Sequence, residues 1–231
     1  MRQYCCNPHS LVTSKSPARR QPRKERIRMK VSIIGAGNVG KALATSMSRA
    51  GHDVTISART QQHAREAAEA TGAQPATSNA AAVRDAELVI LAVPFSAGQE
   101  IAQEIAGLVS GKTVIDTTNP VKPDYSGLAT EGTSGAEEFQ RWLPEAKVVK
   151  AFNTLFASRQ AVPSREVDGF VAADDMKAKQ QVIALVESIG FAPVDVGPLS
   201  SARHLEAMAF LNISLNLAHG WDWTSAWKLD R

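Results

Sequence analysis

Apolar residues along this chain fall into short runs whose spacing alternates between two periods. "KVSIIG" (30–35) has strand length and ends in glycine. Val39, Leu43, Met47 and Ala50 then recur every three or four residues, which predicts an amphipathic helix stopped by Gly51. "HDVTIS" (52–57) predicts a second strand, with an alanine-rich helix near 61–71 behind it. "AELVILAVP" (86–94) is apolar on both faces, as a central strand of a parallel sheet is. A helix through about Leu108 and the strand "KTVIDTTNP" (112–120) continue the alternation.

Residues 121–134, rich in Gly, Thr and Pro, predict a long loop, and Ser134 with Glu137 predicts a capping box for the next helix. "AKVVKAFNT" (146–154) reads as another strand, while "VDGFVAADD" and "FAPVDVG" flank the helix "MKAKQQVIALVESIG" (176–190). A last helix spans roughly 200–218, before a tryptophan-rich tail. Strand–helix alternation of this kind predicts the α/β class: a doubly wound, mainly parallel sheet covered on both sides, with a small helical C-terminal extension.

Gly35, Gly37 and Gly40 form G-x-G-x-x-G where a strand gives way to a helix. In that context the first glycine permits the tight turn, the second lets a pyrophosphate approach backbone, and the third lets helix and strand pack closely. Amides at the helix start then point at anionic oxygens. The motif therefore predicts a dinucleotide cradle in a Rossmann domain, formed by Gly35, Ala36, Gly37, Asn38, Val39 and Gly40. NAD sites usually close the next strand with Asp or Glu; "TISART" offers Ser57, Arg59 and Thr60 and no acid. A guanidinium and hydroxyls attract a 2′-phosphate that a carboxylate would repel, so NADP(H) is the predicted cofactor. Val93-Pro94-Phe95, Asn119-Pro120 and Ala151-Phe152-Asn153 fall at the carboxyl ends of other predicted strands, where a doubly wound sheet binds its ligand. Each doubles as a strand-terminating turn, and as a set they are candidate walls for the nicotinamide end.

Charge divides the chain in two. Residues 1–30 hold nine Lys/Arg against Glu25 alone, so the remainder, with 17 Lys/Arg and 22 Asp/Glu, is acidic. The basic head has no hydrophobic period and no apolar core of a signal peptide; a disordered extension preceding Met29 is preferred to a transit peptide. Neither nucleic acid nor membrane is an expected partner, since the positive charge lies off the folded part and no apolar run approaches the roughly 20 residues of a membrane helix. Cys5 and Cys6 both lie in the head, which leaves the folded part no thiolate chemistry and suits a cytoplasmic setting. The chain divides at this level into an extension (1–28), a dinucleotide-binding domain (29–155) and a smaller C-terminal part completing an acceptor site (156–231).

Other chemistry-bearing residues have ordinary explanations. His204 suits a surface better than proton donation, and Asp174 with Asp175 at a strand–helix junction suits capping better than metal binding. Trp221, Trp223 and Trp227 suit core or interface packing, with stacking on a flat acceptor as the alternative. No catalytic triad and no metal cluster is expected. Hydride transfer needs proximity and alignment more than an acid or base.

"VSIIGAGNVGKAL", "SART", "LVILAVPF", "VVKAFNT" and "GPLSSARHLEAMAFLNISL" together resemble the coenzyme F-420-dependent NADP oxidoreductases, over nearly everything from Met29 onward. The same blocks occur in the reductase domain of six-transmembrane metalloreductases. The resemblance implies a homodimer that passes hydride between NADPH and a small redox acceptor, coenzyme F-420 or a flavin. By motif, Ala36 to Val39 would face the pyrophosphate, and Val93 and Ala151 the nicotinamide side. Ala58 stands where the family commonly has serine before the arginine. An imine reductase acting on substrates like pyrroline-5-carboxylate, and a non-catalytic NADP(H) sensor, are the alternative readings.

Overall fold

The computed structural model describes residues 28–231. Most of the expected basic extension, with both cysteines, lies outside them; Arg28, its last residue, pairs with Asp53. The strands are β1 (Lys30–Ile34), β2 (Asp53–Ser57), β3 (Gln74–Pro75), β4 (Leu88–Leu91), β5 (Thr113–Asp116), β6 (Lys147–Ala151), β7 (Asp168–Ala173) and β8 (Ala192–Asp195). Between and after them run α1 (Asn38–Ala50), α2 (Gln61–Thr71), α3 (Asn79–Arg84), α4 (Gly98–Ile105), α5 (Gly135–Trp142), α6 (Ala157–Ala161), α7 (Met176–Ile189) and α8 (Ala202–His219).

All eight strands form one sheet in the order β3-β2-β1-β4-β5-β6-β7-β8. Neighbours are parallel except β6 and β7, so the sheet is mainly parallel and doubly wound. Chain order reverses at β1, with β2 on one side and β4 on the other; such a switch point opens a crevice at the carboxyl ends. The continuous apolar runs become strands covered on both faces: Ile33, Leu43, Met47 and Ile90 are buried on one side, and Ile34, Val89, Ala102 and Phe139 on the other. The expected elements are present, but β4, β5 and β6 end three, four and three residues before the runs that predict them. Short β3, α3 and α6 escape the periodicity argument, because an element of two to six residues completes no repeat. The capping box is present: Ser134 Oγ accepts from the Glu137 N–H at 3.2 Å, and the Glu137 carboxylate turns back to Ser134, accepting from its hydroxyl at 2.8 Å, while also pairing with Arg203.

Among the described residues no helix is long and apolar enough to cross a membrane. Gly220, in the left-handed region, ends α8 and sends residues 221–231 back across the molecule. Ser158 Oγ donates to the Trp223 carbonyl, Asn216 Nδ2 reaches Ser225 Oγ at 2.7 Å, and the Asp168 amide donates to the Trp227 carbonyl at 3.2 Å. Buried Asp168 fastens the end of this strap, accepting from the Leu229 N–H at 2.6 Å and facing Lys228 and Arg231. Burial opposes its charge, but those donors outweigh burial and hold the carboxyl below the usual aspartate range. A carboxyl depressed on folding stabilises the strap fully above about pH 4 and ceases to as pH falls through the depressed value. Amide exchange at residues 227–231 should therefore stay slow from neutral pH down to about pH 4 and quicken below it. Asp168→Asn should quicken it already at pH 7; unchanged protection in that variant would refute the clamp.

Candidate functional site

Beyond the end of β1 the chain turns at Gly35, whose φ is +108° and whose amide donates to the Ser57 carbonyl at 3.1 Å. A Cβ there would lie 2.3 Å from the Ala92 carbonyl oxygen, and one on Gly40 would lie 1.9 Å from that of Gly35. First and third glycines thus let α1 press its start against β1 and β4. Gly37 differs, for a Cβ on it would meet nothing within 4 Å. It is the residue before α1, and no side chain caps that helix and no acid occupies its first turn. By contrast α2, α3, α5 and α7 are capped by Thr60, Ser78, Ser134 and Asp175. The first amides of α1 are free of side-chain partners and concentrate the positive end of its dipole over open space.

Two pockets flank this turn. On one side a recess of about 260 Å³ is lined by Gly35, Ala58, Arg59, Asn79 and Val93, with Glu100 and Glu104 at its α4 edge. Arg59 is exposed there and makes no ion pair among the described residues. Ser57 is buried and its hydroxyl donates to Asn79 Oδ1 at 2.7 Å; Thr60 Oγ1 accepts from the His63 N–H at the start of α2. On the other side a cavity of about 120 Å³ is lined by Val39, Thr117, Asn119, Asn153, Phe156 and Gln160, with Ala209, Asn212 and Ile213 of α8 closing it.

The amides of this second pocket are held firmly. Asn119 Nδ2 donates to the Asn153 carbonyl, and Asn153 Nδ2 donates to Asn119 Oδ1 and the Leu205 carbonyl. Phe152 has a φ of 65°, rare for so bulky a residue, and Gln160 Nε2 locks that turn by donating to the Phe152 and Leu155 carbonyls at 3.1 and 2.9 Å. With their N–H groups spent, Asn153 Oδ1 and Gln160 Oε1 are buried and have no donor among the described residues.

Of the residues expected at the site, the glycine turn, Arg59 and Val93 meet around the first pocket, and Val39, Asn119 and Asn153 around the second. Pro94 leads into a short turn that swings Phe95 away, where it stacks on Trp142 at 5.8 Å between ring centres. Ala151 and Phe152 lie in the core beneath the second pocket, and the Pro120 carbonyl accepts from Ala129 in the long loop. His204 is exposed, and Asp175 caps α7 while Asp174 accepts from the Leu199 amide. Trp227 joins Phe170 and Leu205 in a small core, Trp221 stacks on His219, and Trp223 packs edge-on against Phe156. Gln160 is missed, since no local pattern points to it; Ala209, Asn212 and Ile213 lie within the block "GPLSSARHLEAMAFLNISL" but are not singled out there. A further omission is Lys150, although a lysine inside the apolar run "KVVKA" is itself a signal.

This sheet, switch point and uncapped glycine turn define a Rossmann-type dinucleotide-binding fold. Residues 30–120 match the family model described as NADP oxidoreductase, coenzyme F420-dependent. The F420-dependent NADP reductase of Methanothermobacter thermautotrophicus is 33% identical over 209 residues, 82% of this chain and 90% of that protein. Metalloreductase STEAP3 of Rattus norvegicus is 31% identical over 196 residues, 83% of this chain, but the chain spans only 38% of that protein's length. A crystal structure from Arthrobacter sp. FB24, assigned as an F420-dependent NADP-reductase, superposes with a TM-score of 0.79 at 29% identity, covering 88% of this chain and all of that one. The chain belongs to the coenzyme F420-dependent NADP oxidoreductase family.

The three glycines separate folding from binding. Gly40→Ala should destabilise the protein by about 1–3 kcal/mol or more, read by denaturant unfolding, because its methyl collides with backbone. Gly37→Ala should leave stability within about 0.5 kcal/mol of wild type while weakening nucleotide binding at least tenfold, as expected of a surface change away from packing. Equal effects of the two on stability would contradict these roles.

Proposed function

We propose that this chain is a cytoplasmic NADP(H)-dependent oxidoreductase that moves hydride between NADPH and a flat redox acceptor, a deazaflavin such as coenzyme F-420 being the leading choice and a flavin the next. The observation that carries this reading is the uncapped start of α1 over Gly37 with Arg59, which has no ion-pair partner among the described residues, beside it. Amides of residues 38–40 would hold the diphosphate, and the Arg59 guanidinium would take the 2′-phosphate, with the Thr60 hydroxyl free to donate a further bond. The nicotinamide end would enter the second pocket, between Val39 and the side chains of Asn119, Asn153 and Gln160. Bound there, NADPH supplies a hydride, whose loss leaves NADP⁺ while the acceptor gains that hydride and a solvent proton. Val39, Phe156 and Ile213 exclude water, and Phe156 with Trp223 offers aromatic surface to the acceptor.

Residues 29–155 would carry the nucleotide and 156–231 would complete the acceptor side. A second copy would cover the outer side of α8, where Leu211 and Leu217 are each 50% exposed.

Two measurements test this reading. Arg59→Ala should raise the NADPH KM roughly 10- to 150-fold, the loss expected for a charged hydrogen bond of about 1.5–3 kcal/mol, and leave NADH kinetics unchanged. An equal effect on both cofactors would place the 2′-phosphate elsewhere. Light scattering should find a dimer that Leu211→Glu with Leu217→Glu converts to folded monomer; a wild-type monomer would remove the dimer from the account.

A further inference from the structure

Beneath the second pocket lies an ion cluster that the reading above leaves unused. Lys150 on β6 is fully enclosed, and its Nζ lies 2.7 Å from each of three acceptors: Asp116 Oδ2 on β5, Glu206 Oε1 on α8 and the Thr118 carbonyl. Asp116 Oδ1 also accepts from the Thr118 amide at 2.8 Å, and Glu206 accepts from the Gly135 amide at the start of α5 at 2.9 and 3.1 Å. Every N–H of the ammonium is used, and both carboxylates have at least two donors. Burial works against the Lys150 charge, but Asp116 and Glu206 outweigh it and hold the ammonium above the usual lysine range. Burial, reinforced by the Asp116 charge, pushes the Glu206 carboxyl up.

Such a cluster adds little net stability, because apolar residues of similar shape often serve as well or better. Its arms, however, end on segments whose neighbouring residues line the same cavity. Thr117 and Asn119, on either side of Thr118, line one wall; Ala209, Asn212 and Ile213, on the helix that carries Glu206, line the other. Asn153, three residues past Lys150, ties to the Leu205 carbonyl next to Glu206. One ammonium therefore joins the strand-end wall to the helix wall.

We propose that Lys150 is a positioning residue, which through Asp116, Thr118 and Glu206 sets the separation of the two walls between which hydride donor and acceptor meet. The inference rests on the proposed oxidoreductase reading. Lys150 touches neither reactant; it acts through the walls. Reacting atoms must approach to about 3–3.5 Å, and a displacement of about 1 Å costs about 10²-fold in rate.

The test uses Lys150→Met/Asp116→Asn/Glu206→Gln, which removes all three charges together and avoids stranding a buried carboxylate. NADPH affinity and the emission maximum of bound NADPH are measured by fluorescence titration, alongside melting temperature, kcat, and the isotope effect with 4-deuterated NADPH. The expected result is a folded protein with NADPH affinity within about threefold of wild type and a red-shifted nicotinamide emission. Its kcat should fall about 10–100-fold, with a larger isotope effect as hydride transfer becomes limiting. A folded variant with wild-type emission and kcat would overturn the proposal, as would a loss of NADPH affinity parallel to the loss of kcat. Should the triple variant fail to fold, Glu206→Gln, which keeps the shape and loses one charge, is read by the same criteria. Failure of wild type to bind NADPH at all would instead refute the reading on which the inference rests.

Discussion

The start of α1 must lie almost on top of the end of β1, and only glycine at position 40 allows it. A methyl group there would sit 1.9 Å from the Gly35 carbonyl oxygen. From that close approach follows the sharp turn at Gly35, the direction of α1 toward the switch point, and the exposure of its first amides over Gly37. Hydrophobic burial of Leu43 and Met47 holds the helix down, and the backbone contact at Gly40 limits how close it can come. In the same place the fold accepts two local costs, an uncapped helix start and a bulky residue, Phe152, at positive φ. Both occur beside the two pockets to which the proposed function assigns a diphosphate and a ring, and strain commonly gathers at functional sites.

Around that turn the two pockets differ in chemistry. The Arg59 side is larger and lined by charged groups of both signs, whereas the Asn153 side is smaller and rich in fixed amides. Rigidity there comes from polar bonds between distant segments more than from apolar packing. Asn119 and Asn153 bind each other, Gln160 fastens the Phe152 turn, and α8 is tied down through Leu205 and Glu206. Family membership accounts for the glycine turn and the surrounding blocks. The matches extend to relatives as different as an archaeal reductase spanned over 90% of its length and a metalloreductase spanned over 38%.

Most of the framework was legible because it obeys local rules. The apolar run of β4, the three-and-four spacing of α1 and the glycines at 35, 37 and 40 each declare themselves within a dozen residues. The direction of a side chain at a strand end is less legible. Ser57 follows Ile56 in an apolar strand, yet its hydroxyl turns inward to Asn79, and Phe95 follows Pro94 into a turn that carries it to Trp142. Least legible is the cluster of Asp116, Lys150 and Glu206, whose members lie 34 and 56 residues apart and meet only once the sheet and α8 have packed. Pairing across such distances leaves no periodic trace. Only the misplaced charge in "KVVKA" hints at it.

The central claim is that the turn at Gly35–Gly40 and the neighbouring Arg59 together select a 2′-phosphorylated dinucleotide. Isothermal titration of the purified chain with NADP⁺ and with NAD⁺ under identical conditions tests it most directly. The account predicts saturable, one-to-one heat with NADP⁺ and binding of NAD⁺ weaker by at least about tenfold, the discrimination one charged hydrogen bond provides. Absence of heat with NADP⁺, or equal affinity for the two, would contradict it.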